Sequence, residues 1–434
     1  MSVYGSTLTP SLQHVDTYYA ATRREQADGL PFLGDTQTDV CVVGGGYAGL
    51  GTALHLARRG IDVTLLEQSR LGWGASGRNG GQVHVGMRRD QLWLEKTLGE
   101  AAGQRFWRLA LDARGHLDEL IETYGIDCSY RPGLMHVDHK PRYVDETRQH
   151  VEFMRSRYGY TDLSFLSGDA LASLLSSPCY YGGSMDARGG HLQALDWALG
   201  MARAALSLGA RLHEGVEVTG ICRKDAGFVV TTPQGAVRAR RVVLACNGYL
   251  RCLSTRVRGR VMPINNYVAV TAPLGEQARQ LIRNGAAVSD SRFVVNYFRV
   301  TPDDRLLFGG GENYSYRFPG NISEFVRPHV ESVFPQLRGV RFDYAWGGTL
   351  GITSTRMPYV RELEPGLLNL SGFSGLGVVL APYVGKIVAD ALAGEAASFE
   401  LLSSLSVPPF PGGPLLRWPT MVAAMLYYAL RDRL

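Results

Sequence analysis

The stretch CVVGGGYAGLGTALHLARRGIDVTLLE, residues 41–67, leaves the chain few folds to choose from. Residues 40–43 form a short apolar run suited to a strand buried on both faces. Gly44, Gly46 and Gly49 follow as G-x-G-x-x-G. The first allows a tight turn, the second lets backbone approach a pyrophosphate, and the third lets the next helix pack on the strand. Leu50, Ala53, Leu54 and Ala57 recur at helical spacing, and Gly60 suits the end of that helix. Residues 61–66 read as a second strand. Glu67, 23 residues after Gly44, stands where an acid accepts from a ribose hydroxyl. The motif alone is weak; strand, glycine turn, helix, strand and acid together specify a βαβ dinucleotide site, equally suited to NAD and FAD.

At 434 residues the chain exceeds one compact core, so two or three domains are expected. The +5 net charge is spread along the sequence, with no basic stripe interleaved with aromatics, so nucleic acid is not an expected partner. None of the six cysteines forms C-x-x-C; they read as reduced, mostly buried thiols of a cytoplasmic protein. The first 20 residues lack the pattern of a signal peptide, and no apolar run is long enough for a membrane span. Residues 421–430 suggest a C-terminal helix that packs on the body or touches a membrane or partner. No metal site is expected.

Three features separate FAD from NAD. The exit from Glu67 and Gln68 carries Gly74, Ala75, Ser76, Gly80 and Gly81, short residues that let backbone run flat against a large planar ligand. Residues 242–245 form a buried strand before Asn247-Gly248, placed to close over the adenosine side. Far along the chain, Gly375, Leu376, Gly377 and Val378 open another helix whose positive end would face an anion such as reduced flavin.

GGGYAGL, LLE, LGWGASGRNGGQ, VLACNGY and GFSGLGVVLAP…GK together resemble the FAD oxidoreductases of the D-amino-acid-oxidase superfamily. SGRNGGQ, NYFRVTPDDRLLFGGGENYS and GITSTRMPYV make the chain most similar to the gamma-glutamylputrescine oxidoreductase branch, from about residue 14 to 434. The resemblance implies an α/β fold: a discontinuous Rossmann-like FAD-binding domain and a second α+β substrate domain on a mixed or antiparallel sheet. The expected division is an arm at 1–37, FAD-binding segments at 38–125, 182–260 and 346–399, substrate segments at 126–181 and 261–345, and a tail with a helix at 400–434. It also implies oxidation of an amine C–N bond. Hydride passes to the flavin, and water hydrolyses the imine to aldehyde or keto acid plus amine. Oxygen or another acceptor then takes the electrons.

Cofactor contacts are expected from Gly44, Gly46, Tyr47, Ala48, Gly49, Glu67, Gln68, Gly74, Ala75, Ser76, Arg78, Asn79, Gly80, Gly81, Gln82, Val218, Asn247, Gly248, Gly347, Gly375, Leu376, Gly377 and Val378. Residues 345–360 lack the cysteine that attaches flavin covalently in sarcosine-oxidase-type relatives, so FAD is expected to be non-covalent. Val378 and Val379 stand where those relatives place a carboxylate-holding lysine, which favours an amine over a small α-amino acid. The alternatives are a sarcosine, pipecolate or D-amino-acid oxidase, a flavin monooxygenase, or a non-catalytic FAD-binding protein. For the catalytic face the candidates are Tyr267, Tyr297, Arg299 and His84. Asn266 and Tyr267 read as substrate contacts or as plain sheet surface. Residues 296–299 alternate faces, so one pair points inward, Tyr297 with Arg299. His84 reads as a flavin attachment point, a proton shuttle or a neutral loop histidine. Glu312 is a candidate for a distal ammonium, and Trp346 for a pocket wall or core residue.

Overall fold

The computed structural model describes residues 11–313, 317–413, 416–420 and 422–423, without the side chains of 312 and 313. Two sheets organise the chain. The first runs β7 (Arg211–Glu214), β2 (Val63–Glu67), β1 (Thr36–Val43), β10 (Gly235–Leu244) and β17 (Leu367–Ser371), all parallel. An antiparallel strand, β16 (Tyr359–Glu364), closes its edge on β17. The meander of β8 (Gly220–Lys224) and β9 (Gly227–Thr232) leads into β10. Val40, Cys41, Val42 and Val43 of the sheet's central strand are all buried: Val40 and Val42 face the helical layer, and Cys41 and Val43 pack with Phe228 and Val230 of the meander.

The second sheet runs β15 (Phe342–Ile352), β11 (Met262–Thr271), β14 (Leu306–Asn313), β13 (Tyr297–Val300), β12 (Ala287–Asp290), β4 (Arg131–Val137), β6 (Gly183–His191) and β3 (Gln82–Val83). A short β5 (Leu163–Leu166) adds to β6. Only β12 and β4 pair in parallel, so the sheet is mixed. Strand alternation gives it two chemically distinct faces. Tyr267, Ala269, Phe298 and Phe308 join a core with Val326 and Val330 of α10 (Ile322–Val333). Val268, Val270, Leu307 and Trp346 point the other way, into the core shared with the first sheet.

Three helices build the first sheet's main cover: α2 (Tyr47–Arg58), α7 (Ala194–Ser207) and α11 (Gly377–Leu392). α2 and α11 meet through glycine. A Cβ on Gly51 would lie 2.5 Å from the Pro382 carbonyl oxygen, and one on Gly385 would lie 2.5 Å from the Thr52 nitrogen. Pro382 has no N–H to give to the Val378 carbonyl one turn earlier. Trp197 of α7 supplies the missing donor, Nε1 to Val378 O at 3.1 Å. α3 (Gln91–Leu98) and α4 (Glu100–Tyr124) flank this layer, and α5 (Pro141–Tyr158) packs beside β5 and β6. The short helices α1 (Tyr18–Ala21), α6 (Gly168–Leu174), α8 (Thr255–Arg258), α9 (Glu276–Leu281) and α12 (Ala397–Ser403) join these layers.

Several expectations are corrected. The run 292–300 yields only the four-residue β13. Before it, Asp290 Oδ1 accepts from the backbone N–H of Arg292 and Asn296 at 3.2 and 3.0 Å, which fixes a turn ahead of the strand. β3 and β6 pair with each other in the second sheet, although residues 82–83 and 183–191 fell in FAD-binding spans by sequence. The N-terminal arm is not peripheral: Tyr18 and Tyr19 are buried, and Leu30 bridges to His213. Of the six cysteines, only Cys41 and Cys128 are buried, and Cys222 is exposed on β8. The helix expected over 421–430 lies, apart from 422–423, outside the described residues.

Candidate active site

The glycine turn after β1 works as the motif demands. Gly44 sits at φ +110°, in the region that favours glycine, and a Cβ there would come within 2.9 Å of the Ala245 carbonyl oxygen. A Cβ on Gly49 would collide with the Gly44 carbonyl oxygen, so only glycine lets α2 start this close to β1. Gly46 offers α2 no side-chain cap, and Ser76 Oγ accepts from Tyr47 N at 2.9 Å. Glu67 Oε2 accepts from Gly45 N at 2.6 Å, and its Oε1 from Ser69 N at 2.8 Å. Burial pushes its carboxyl above the ordinary value, while those N–H groups act against the shift.

These residues open onto a cavity of about 390 Å³. Four distant stretches wall it: the exit loop through Trp73 and Asn79, residues 216–219, residues 245–253, and the start of α11. Of the residues expected at the cofactor, Gly44, Gly46, Tyr47, Ala48, Glu67, Gln68, Gly74, Ala75, Ser76, Asn79, Val218, Asn247, Gly375, Gly377 and Val378 line it. Asn247, at φ +47°, accepts from Gly372 N through Oδ1 at 2.9 Å and so ties the end of β10 to the end of β17. Gly375, at φ +97°, turns the chain into α11, whose first residues carry no side-chain cap. Two helix N-termini whose N-cap residues provide no side-chain cap therefore face one cavity.

Gly49, Arg78, Gly80, Gly81, Gln82, Gly248, Gly347 and Leu376 do not line it. Gly49 and Gly248 are packing glycines; a Cβ on the latter would sit 2.8 Å from Leu350 O. Leu376 is the N-cap position of α11. Arg78 is buried behind the wall, 3.9 Å over the Trp73 ring, donating Nε to Trp73 O at 2.8 Å and Nη1 to Gly347 O at 3.3 Å. Gly80 lies against the Tyr297 ring, and Gly81 against Leu192 O. Gln82 donates Nε2 to Val288 O at 2.7 Å, which lays the exit loop over the second sheet.

The sheet face sorts the catalytic candidates. Tyr297 donates to Asn266 Oδ1 at 2.5 Å, and burial raises its phenol further above neutrality. Trp346 donates Nε1 to Arg78 O at 2.9 Å on the same face. Tyr267 is corrected: it points to α10, its ring 5.0 Å from Phe325 and 5.7 Å from Phe318. Gly347, its cross-strand partner, shares that face, where a Cβ would meet Phe318. Arg299 does lie on the inward face with Tyr297, but it is 3% exposed. Its guanidinium donates to Gly80 O at 3.3 Å, Leu192 O at 3.2 Å and Tyr19 Oη at 3.4 Å, so it clamps the loop instead of facing open space. His84 is half-buried, and burial, Arg88 and His136 lower its imidazole to about 3, so it is neutral near pH 7. Glu312 stands opposite Asn266 in the β11–β14 register.

Sequence reasoning missed Trp73, Tyr249 and residues 250–253 of the wall. Trp73 and Tyr249 sat inside stretches already singled out, their rings 6.0 Å apart and edge-on. Residues 250–253 carry no periodic or glycine signal.

The family described as FAD dependent oxidoreductase matches residues 39–391. The chain belongs to this family. As an FAD-dependent oxidoreductase it is 40% identical over 420 residues to the probable oxidoreductase OrdL of Rhizobium meliloti (strain 1021), covering 96% of this chain and 97% of that one. It is 39% identical over 430 residues to gamma-glutamylputrescine oxidoreductase of Escherichia coli (strain K12), covering 97% and 99%. The crystal structure of glycine oxidase from Geobacillus kaustophilus superposes with a TM-score of 0.71 at 23% identity, over 85% of this chain and all of that one. That likeness is one of fold: a Rossmann-like sheet joined to a mixed sheet.

The cofactor is FAD, and the cavity fits it. Gly44 and Gly46 line it without side chains, Gly49 lets α2 start close to β1, and the two helix N-termini suit an anionic, extended ligand. Beside them Trp73 Nε1 and Arg78 Nη2 are buried donors with no partner among the described residues.

Proposed function

We propose that this FAD-dependent oxidoreductase oxidises the C–N bond of an amine bearing a remote carboxylate, with gamma-glutamylputrescine as the leading candidate. The observation that carries the reading is the start of α11. Val378 lines the cavity, Val379 follows it, and each is 5% exposed, so the first turn of α11 itself contributes no cation to a carboxylate next to the reacting carbon. A buried carboxylate without donors costs several kcal/mol. A small α-amino acid is therefore poorly held, whereas a long amine keeps its carboxylate elsewhere. The 39% identity to gamma-glutamylputrescine oxidoreductase supports the same class.

FAD, when bound, supplies the acceptor for the hydride equivalent leaving the amine carbon. The chain's own residues do the rest. Glu67 and the N-terminus of α2 hold the adenosine ribose and pyrophosphate, and the N-terminus of α11 holds the ring end, all without a covalent bond. Tyr297 and Asn266 stay neutral and hydrogen-bonded, which suits orienting an uncharged amine. Binding energy from the distant part of the substrate then helps at the reacting carbon.

Anaerobic bleaching of the flavin absorbance tests this with gamma-glutamylputrescine, putrescine, sarcosine and D-alanine. The glutamylated amine is expected to give the highest specificity constant. A tenfold advantage for sarcosine or D-alanine over both amines would overturn the assignment in favour of an amino-acid oxidase.

A further inference from the structure

The inward face of the second sheet continues beyond Tyr297 as a row of polar side chains that the flavin site leaves unused. Ser289 of β12 stands opposite Tyr297 and His136, and Ser184 of β6 stands opposite His136 in turn. Their sequence neighbours Met135, Val137 and Val288 belong to the opposite, α10-facing core, so the row projects to the inward side. His136 Nδ1 lies 3.4 Å from Ser289 Oγ. The exit loop crosses the same face, since Gln82 reaches Val288 O. Arg88 follows it closely enough for its charge to act on both His84 and His136.

We propose that His136 and Ser289 form a subsite for the substrate's remote carboxylate. This rests on the amine-oxidase reading and specifies its substrate class. The row offers hydrogen-bond donors from imidazole and hydroxyl. His136 remains solvent-exposed, yet the surrounding protein lowers its imidazole to about 4, so it is an uncharged hydrogen-bonding group within a recess. The groups that act on it are all basic: Arg88, His150 and His139. Of the nearby acids, Asp290 takes Arg292 and Asn296, and Asp138 accepts from Thr147 Oγ1 at 3.0 Å through Oδ1, while its buried Oδ2 has no hydrogen-bond partner among the described residues. A carboxylate finds imidazole N–H, hydroxyl and a neighbouring guanidinium charge along this row.

Distance sets the class further. From Tyr297 to His136 is two strand spacings, about 9–10 Å. At roughly 1.2 Å of reach per bond in an extended chain, that is about eight bonds. The preferred substrate is thus a long amine whose carboxylate lies about eight bonds from the oxidised carbon, as in a gamma-glutamyl diamine. A short amino acid cannot span it.

Two measurements on the FAD-loaded enzyme test the subsite. Glutarate, which carries the anion without an amine, is titrated while the flavin spectrum and binding heat are followed. It should bind the native enzyme, and His136→Leu and Ser289→Ala should each weaken binding at least tenfold. In turnover, His136→Leu should lower the ratio of kcat/KM for gamma-glutamylputrescine over putrescine at least tenfold. Ser289→Ala removes only a hydroxyl and serves if His136→Leu does not fold. Absence of glutarate binding to the native enzyme, or binding and ratio unchanged in the variants, overturns the subsite. If the native enzyme oxidises neither amine, the functional reading fails, and the glutarate titration alone decides the subsite.

Discussion

At the scale of single residues, Glu67 shows how one side chain serves two ends. Its carboxylate accepts from Gly45 N and Ser69 N, so it fixes the glycine turn, and it also lines the cavity. A ribose hydroxyl donating to it would form a charge-assisted bond worth about 1.5–3 kcal/mol. Glu67→Ala is expected to raise the FAD dissociation constant roughly 10- to 100-fold, since each tenfold corresponds to about 1.4 kcal/mol. Equilibrium titration of apoprotein with FAD measures this, and substrate preference should not move with it. An unchanged dissociation constant would remove Glu67 from the cofactor site. Glu67 was legible because its spacing from Gly44 is a property of the βαβ unit itself. Tyr267 was misplaced because adjacent strand residues differ only in parity. Which parity faces inward is set by α10, a helix some 60 residues further along the chain, and by the bulge beside Asn266.

At the scale of elements, the cavity depends on how closely α2 and α11 approach. Both helices present their N-termini to it, and glycines at 51 and 385 bring their backbones into contact. Gly51→Ala would place a methyl 2.5 Å from Pro382 O, against backbone that cannot move aside. Overpacking of this kind costs about 1–3 kcal/mol. The variant should melt at a lower temperature and purify with less FAD. Gly115→Ala in α4 is the matched control. Nothing lies within 4 Å of the added carbon and the backbone there is helical, so it should gain about 0.5–1 kcal/mol. Equal melting temperatures for the two variants would dismiss the close approach as a constraint. The helices were legible from glycine and apolar spacing. Their mutual contact was not, because nothing in the 300-odd residues between them marks Pro382 as the partner of Gly51.

At the scale of the whole molecule, the two sheets share a core, and the N-terminal arm is the wedge between them. Tyr19 is fully buried, its ring 5.5 Å from Trp346 of the second sheet, and α7 accepts the arm through Asp196, which takes the Arg24 and Glu25 N–H groups at 2.8 and 3.0 Å. The βαβ unit of the first sheet was legible from strand and turn chemistry and the second sheet from the family resemblance, but an arm of polar and aromatic residues gave no periodic sign of burial. Arg299 closes this junction. It joins β13 to the Gly80 carbonyl of the exit loop, to Leu192 before α7, and to Tyr19 of the arm. Arg299→Met keeps much of the side-chain volume but leaves three buried acceptors without that donor. At about 1–3 kcal/mol for the worst-served of them, and partial relief from rearrangement, the expected loss is about 2–4 kcal/mol. Because the clamp holds the glycine loop and not the ligand, FAD affinity should fall together with thermal stability. The gamma-glutamylputrescine to putrescine ratio should stay within about twofold, a shift of no more than ~0.4 kcal/mol. A variant of native stability whose ratio collapsed would instead make Arg299 a carboxylate contact, and would move the remote subsite from the His136 row to the loop.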